Sequence, residues 1–312
     1  MSEILAAALF TIGVLALVAL DLGVFHRRSH RVAFREALLW SAFWITLALT
    51  FNFVFYLMRG PEAGLQFLTG YLLEESLSLD NLFLFAVIFS YMAVPAEVQH
   101  RVLTWGILGA VVMRGAIIAA GLGLVSRFHW ILYVFGAFLI VSGIRFFRQK
   151  HESVDPQRNP LVRLARRVFP VTHDYVGGAF FVRREGRTWI TPLLLVLLLI
   201  ETTDVVFALD SIPAVFSVTQ DPFIVYASNI LALLGLRALF FVLAGAMRRF
   251  RYLRAGLAVL LILVGLKMLL ARFFSLPTYV PFAAVVLVLA VTIALSLVSK
   301  DGSAGKPAPP QR

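Results

Sequence analysis

The chain has 312 residues, 60% of them hydrophobic and only 14% charged, with a formal net charge of +11 and no cysteine. A soluble domain carries about 45–50% apolar and about 25% charged residues, so a cytosolic globular fold is excluded. The missing thiols exclude disulfides, thiolate metal sites and cysteine nucleophiles.

Nine apolar stretches long enough to cross a bilayer follow one another at 4–25, 36–58, 64–94, 102–125, 129–148, 189–218, 223–247, 253–273 and 279–299. They lack the period-2 alternation of a barrel, and open strands cannot satisfy their backbone in lipid, so each reads as a helix. The first residues lack the basic region of a cleaved signal, and the first span is expected to be retained. A tight turn near 127 makes the fourth and fifth spans a helical hairpin. Segments 26–35, 95–101, 145–188, 248–254 and 300–312 hold 22 of the 28 Lys and Arg residues. The opposite side holds Arg59, Arg127 and Arg272, and the spans hold Arg114, Arg237 and Lys267. The positive-inside rule then places the N-terminus outside and the C-terminus inside. The net charge is a topology signal, with attraction to lipid headgroups as a by-product, and no nucleic-acid partner is expected.

The expected architecture is an all-α polytopic membrane protein forming a single transmembrane domain. Two leading helices (4–58) precede a first unit (64–148), a cytoplasmic loop (149–188), a second unit (189–273), a last helix (279–299) and a disordered tail (300–312). Within the loop, 160–169 patterns as a basic amphipathic helix on the inner surface. Residues 179–191 read as a hairpin turning at Glu185-Gly186.

The two units are copies. Glu74-Glu-Ser-Leu-Ser-Leu-Asp80-Asn81 aligns with Asp204-Val-Val-Phe-Ala-Leu-Asp210-Ser211. Arg114 and Gly121 align with Arg237 and Gly245, and Phe128 through Gly143 and Arg145 with Phe250 through Gly265 and Lys267. Three matches in the same order, at offsets of 130, 123 and 122, are not expected by chance. Each copy holds three helices, so the second is inverted relative to the first. Inverted repeats in secondary transporters place substrate near the midplane between the halves. Duplication without transport is the plainer alternative.

The acids weigh against that alternative. Asp21, Glu74, Glu75, Asp80, Glu201, Asp204 and Asp210 all fall within spans. An intramembrane acid costs roughly 2.5–3.5 kcal/mol on insertion scales, and three basic residues cannot neutralise the whole set. Bound cations or protons are expected to make up the difference. Glu75 lies on a different face from Glu74, and Asp21 can reach headgroups beside Arg27 and Arg28, so both are weaker candidates. Arg114 and Arg237 read as structural partners of the acids, with gating as the alternative. On a straight helix Glu74 and Asp80 are about 120° apart, and Asp210 lies opposite Glu201. Pro213 removes a backbone hydrogen bond beside Asp210. The third and sixth spans are therefore expected to bend or unwind, freeing carbonyl ligands; simple tilt would also account for their length. The candidate ligands are hard oxygens, from the carboxylates, Asn81, Ser78, Ser211, Thr202 and Thr203. All six histidines sit at span ends or in loops. This set favours Mn²⁺, Mg²⁺ or Ca²⁺ over soft metals. No protease, P-loop or nucleotide-binding motif occurs, and no enzyme and no resident cofactor is expected.

Glu74 through Asn81, Gln99-His-Arg-Val-Leu with Trp105-Gly-Ile-Leu-Gly109, Phe128-His-Trp through Gly143, and Thr203 through Pro213 together resemble the TerC family. Asp221 through Asn229 and Gly235-Leu-Arg-Ala238 carry the same resemblance, which runs from about Asp21 to Leu270. The family was named for tellurite resistance and is similar in architecture to the LysE-like exporters. The resemblance implies Mn²⁺ efflux across the bacterial inner membrane, with metal homeostasis as the role. It places the required acids at Glu74, Asp80, Glu201, Asp204 and Asp210, beside Asn81, and leaves out Glu75. Two rivals are a non-transporting scaffold of a metal or tellurite stress-response complex, built on the 149–188 loop, and a tellurium oxyanion carrier. The oxyanion carrier would need an excess of arginine over acid within the spans, the reverse of what is found.

Overall fold

A computed structural model describes residues 9–14, 16–17, 33–148, 159–184, 186–246, 252–271, 273 and 276–298. The expectations for Asp21, His26, Arg27, Arg28, His30, most of the first span and the tail fall outside these residues. The long helices are α1 (Phe34–Arg59), α2 (Pro61–Tyr91), α3 (Ala96–Arg127) and α4 (Ile131–Arg148), then, after the short α5 (Pro160–Val168) and strands β1 (Phe181–Arg184) and β2 (Arg187–Ile190), α6 (Pro192–Phe216), α7 (Pro222–Ala246), α8 (Leu253–Leu270) and α9 (Tyr279–Val298). Six of them, α1, α3, α4, α6, α7 and α9, are long and apolar enough to cross a membrane. Every 18-residue stretch of α2 carries three acids, which takes it out of that group despite its 31 residues. The apolar run of α8, Ala255–Leu270, is shorter.

The helices are arranged for a lipid solvent. Leu39, Met58 and Val112 point outward at 72%, 79% and 72% exposure, a surface that water would not tolerate. The apolar stretch of α7, by contrast, is 89% buried. It is the central post, with α1, α2 and α3 packed around it. Gly60, at φ +92°, takes a left-handed conformation that only glycine adopts without strain. Pro61 opens the next helix directly after it, so α1 turns into α2 within one residue.

Contacts between the copies are symmetric under exchange. In copy one α2 packs on α7, in copy two α6 packs on α3, and α4 lies along α8. In the α4–α8 seam, a Cβ on Gly136 would stand 2.9 Å from the Gly265 carbonyl oxygen, and one on Gly143 would stand 2.8 Å from that of Ala258. Adding 122 to Gly136 gives Ala258, and subtracting 122 from Gly265 gives Gly143. The two close approaches are therefore one contact seen from each repeat, as two copies related by a two-fold axis require. Small residues that let backbones approach are how membrane helices associate where no hydrophobic drive separates lipid from protein.

Two expectations are corrected. The turn after Arg127 is short, but α3 and α4 make little contact with each other and pack on the opposite repeat instead. Both α2 and α6 are continuous α-helix past the acids, Pro213 included, so neither unwinds. The small polar side chains beside the acids bond back to their own helix: Thr203 Oγ1 donates to the Leu199 carbonyl at 2.7 Å, and Ser76 and Thr202 donate to those of Leu72 and Leu198.

The β1–β2 hairpin pairs Phe181 with Ile190 and Arg184 with Arg187, leaving a two-residue turn with Gly186 at φ +73°. The segment before it covers the α2–α3 connection. Tyr175 donates its hydroxyl to the Met92 carbonyl at 2.7 Å, and the Arg101 guanidinium sits 5.7 Å over the Phe180 ring.

Candidate functional site

Four helices meet at one guanidinium. Arg114 of α3 is completely buried, as is Glu74 of α2, and Asp204 of α6 is 3% exposed. Arg114 Nε donates to Asp204 Oδ2 at 3.1 Å and Nη2 to Oδ1 at 2.8 Å, a two-pronged fork. Its Nη1 donates to Glu74 Oε1 and to Asn229 Oδ1 of α7, the latter at 3.2 Å. Asn229 is itself fixed by a 3.2 Å bond from Nδ2 to the Val225 carbonyl, and Ser78 donates to Glu74 Oε1 at 3.3 Å. Two carboxylates on one guanidinium leave a formal surplus of one negative charge. Glu74 Oε2 is buried with no hydrogen-bond partner among the described residues.

The repeat places equivalent groups on equivalent faces. Glu74 and Asn81 lie seven residues apart, two helical turns, on the inner face of α2; Asp204 and Ser211 do the same on α6. Asn81 and Ser211 are each 2% exposed, and Asn81 Oδ1 and Ser211 Oγ are buried without hydrogen-bond partners among the described residues. Asp80 and Asp210, one residue earlier, are turned off that face and are only partly buried. Ser142 of α4 donates to Asp210 Oδ1 at 2.7 Å.

Glu201 lies one turn before Asp204. Its carboxylate rests against Gly109 of α3, where a Cβ would overlap it, and its Oε2 has no hydrogen-bond partner among the described residues. Thr202, next to it, accepts from Asn159 Nδ2 at 3.1 Å. The Asn159 Oδ1 caps α5 by accepting the Leu161 and Val162 N–H groups at 3.0 and 3.2 Å. The amphipathic helix is thus pinned beside the acids.

The structure brings Glu74 and Asp204 together through the Arg114 guanidinium, from which both accept. It sets Glu201 one turn away and Asp80 and Asp210 on other faces. Among the described residues, no three acidic or imidazole side chains come close enough to hold one metal ion. Glu75 accepts from the Tyr71 hydroxyl at 2.8 Å and stands apart from the cluster, as its different helical face implied. Arg237, the counterpart of Arg114, donates to Thr104 Oγ1 at 3.1 Å. With Asp204, Leu82, Ile107 and Leu233 it lines a cavity of about 20 Å³, room for about one water molecule. Lys267, grouped above with the counter-charges, donates to the Ser217 carbonyl at the end of α6 and completes a helix terminus instead. Asn229, Ser142 and Asn159 were not singled out from the sequence. Of these, Asn229 closes the Asp221–Asn229 motif, so its position was marked although its role was not.

The integral membrane protein TerC family model matches residues 59–304. The chain is 52% identical over 285 residues (91% of the chain, 89% of the relative) to the "Uncharacterized membrane protein STKORF319" of Myxococcus xanthus. It is 44% identical over 297 residues, 92% of each chain, to the "Putative membrane-bound redox modulator Alx" of Escherichia coli strain K12. To the "Uncharacterized membrane protein" of Rickettsia bellii it is 38% identical over 288 residues, 92% of the chain and 95% of the relative. No solved structure matches. A family model spanning most of the sequence and relatives matched nearly end to end make the chain a multi-pass membrane protein that belongs to the TerC family.

Proposed function

We propose that the chain exports a hard divalent cation, Mn²⁺ by the family resemblance, across the bacterial inner membrane, through nine spans with the N-terminus outside and the C-terminus inside. The observation that carries this reading is the meeting of Glu74 and Asp204, equivalent residues of two inverted repeats, at a buried point with a surplus of negative charge. At this point Glu74 Oε2, and one turn away Glu201 Oε2, have no partner among the described residues; Asn81 Oδ1 and Ser211 Oγ, two turns further along their helices, have none there either. A buried polar atom left unmatched costs about 1–3 kcal/mol, so these oxygens read as successive stations for a passing ligand and not as the shell of one ion. All are oxygens, the donor set of Mn²⁺, Mg²⁺ and Ca²⁺. Glu74, Asp204 and Glu201 form the inner group in this reading, with Asn81 two turns along α2 and Asp80 and Asp210 lining the approach from the other faces. A carboxylate that releases metal on one side can return with a proton, which couples export to proton entry. No enzymatic step is assigned.

The name of the Escherichia coli relative mentions redox modulation. With no cysteine in the chain, thiol–disulfide exchange by its own residues is excluded, and a redox effect here would follow from the metal moved.

The test is flux in proteoliposomes under an imposed pH gradient, comparing Mn²⁺, Mg²⁺, Ca²⁺ and Zn²⁺. Mn²⁺ flux is expected to exceed Zn²⁺ flux and to collapse in Asp80→Asn and Asp210→Asn. Absence of metal flux, or wild-type rates in both variants, overturns the reading. If deleting the 149–188 loop removes the cellular phenotype and neutralising the acids does not, the scaffold alternative holds.

A further inference from the structure

The two buried arginines are repeat-equivalents, Arg114 and Arg237 at an offset of 123, yet they stand in different surroundings. Arg114 holds both Glu74 and Asp204. Arg237, 7% exposed, donates to Thr104 and lines the same small cavity as Asp204. In an inverted-repeat protein, rocking lets each half adopt the other's arrangement. Exchanging the repeats sends Arg114 to Arg237, Glu74 to Asp204 and Asp204 to Glu74. The exchanged state therefore has the same two acids held by Arg237.

We propose that Arg114 and Arg237 alternate as the counter-ion of the Glu74–Asp204 pair, each guanidinium marking one of two states open to opposite faces of the membrane. The inference rests on the two-state cycle in the transport reading above. Between hand-overs neither arginine holds the acid pair, which then carries two formal negative charges that match one divalent cation. Arg114 occupies both Asp204 oxygens in the state described here, so a cation and this arginine compete for the same carboxylate. The arginines act as positioning residues, since they set which face the acids serve.

The absence of cysteine makes the test direct. A single Ser211→Cys, or in a second variant Asn81→Cys, reports access to the interior by its reaction with a membrane-impermeant maleimide added to one face or the other of membrane vesicles. Arg237→Gln is expected to shift the ratio of labelling from the two faces by about tenfold one way, and Arg114→Gln by a similar factor the other way. Arg114→Lys and Arg237→Lys, which keep the charge but lose the fork, are expected to give smaller shifts of the same signs; they carry the comparison if a glutamine variant fails to insert. Shifts in the same direction, or unchanged or absent labelling in all variants, overturn the proposal. Labelling requires no metal. Opposite shifts without Mn²⁺ flux would sink the substrate reading alone, and Mn²⁺ flux without opposite shifts would sink the hand-over alone.

Discussion

Gly109 of α3 lies so close beneath Glu201 of α6 that a methyl group there would overlap the carboxylate. The glycine gives this acid its place: the α3 backbone is the floor on which it rests, one turn from Asp204. The overlapping atoms are the far end of a flexible side chain, so a methyl group displaces the carboxylate without moving the backbone. Gly109→Ala is expected to leave the thermal unfolding midpoint in detergent nearly unchanged while lowering cation flux to about the level of Glu201→Ala. A large fall in the midpoint, or wild-type flux, would contradict this.

Removing Arg114 leaves two carboxylates buried together. Breaking a buried ion pair from one side costs about 3–5 kcal/mol, so Arg114→Ala is expected to be among the most destabilising single changes in the chain. Arg114→Ala combined with Glu74→Gln and Asp204→Asn should recover much of that loss. Chemical unfolding monitored by tryptophan fluorescence measures both.

The α4–α8 seam depends on backbone contact. Gly143→Leu would drive a side chain into the Ala258 carbonyl and Ile262, and Gly265→Leu into the Gly136 carbonyl and Ile140. Because these are nearly the same contact seen from the two repeats, the two variants should lose folded yield to similar extents. Size-exclusion profiles of the solubilised proteins report this, and a large difference between them would contradict the symmetry.

Tyr175 lies outside the membrane-spanning helices, and burial pushes its hydroxyl up from 10.0 to about 12. The proton is held more tightly in the folded chain than in the unfolded one. Its contribution is therefore complete below pH 10 and is lost as pH rises toward 12. Tyr175→Phe is expected to lower stability near neutral pH by about 0.5–1.5 kcal/mol, one hydrogen bond, and to flatten the alkaline loss between pH 10 and 12. Unfolding midpoints measured across that range test it.

The helices and the duplication were legible in the sequence because both are local properties. Apolar length sets the spans, and the Glu74–Asn81 and Asp204–Ser211 strings align by eye. The acids were legible for the same reason, since each stands out against its apolar neighbours. The 120° separation of Glu74 from Asp80 foretold that one face of α2 would not carry both. What the sequence withheld was pairing across the fold. Nothing in the string Arg114-Gly115 says that its guanidinium will join Asp204, ninety residues on, and not Asp80. Periodicity also could not show that α2 packs on α7 while α3 packs on α6. The expected unwinding of α2 and α6 failed because it assumed that acids on a single straight helix must converge. Both helices stay regular, and Glu74 and Asp204 meet from two different helices at Arg114.

The crossed packing of the repeats has a consequence for how the chain is made. A ribosome delivers α2, α3 and α4 before any of their main partners exists, so the first half enters the bilayer with its mating surfaces bare. Glu74 and Arg114 travel together in that half and can satisfy one another while they wait, whereas Asp204 arrives later to a cation already in place. Assembly is then a docking of the late half onto an early one whose charge has been looked after, and a chain cut between the repeats would produce two pieces that must find each other before either is finished.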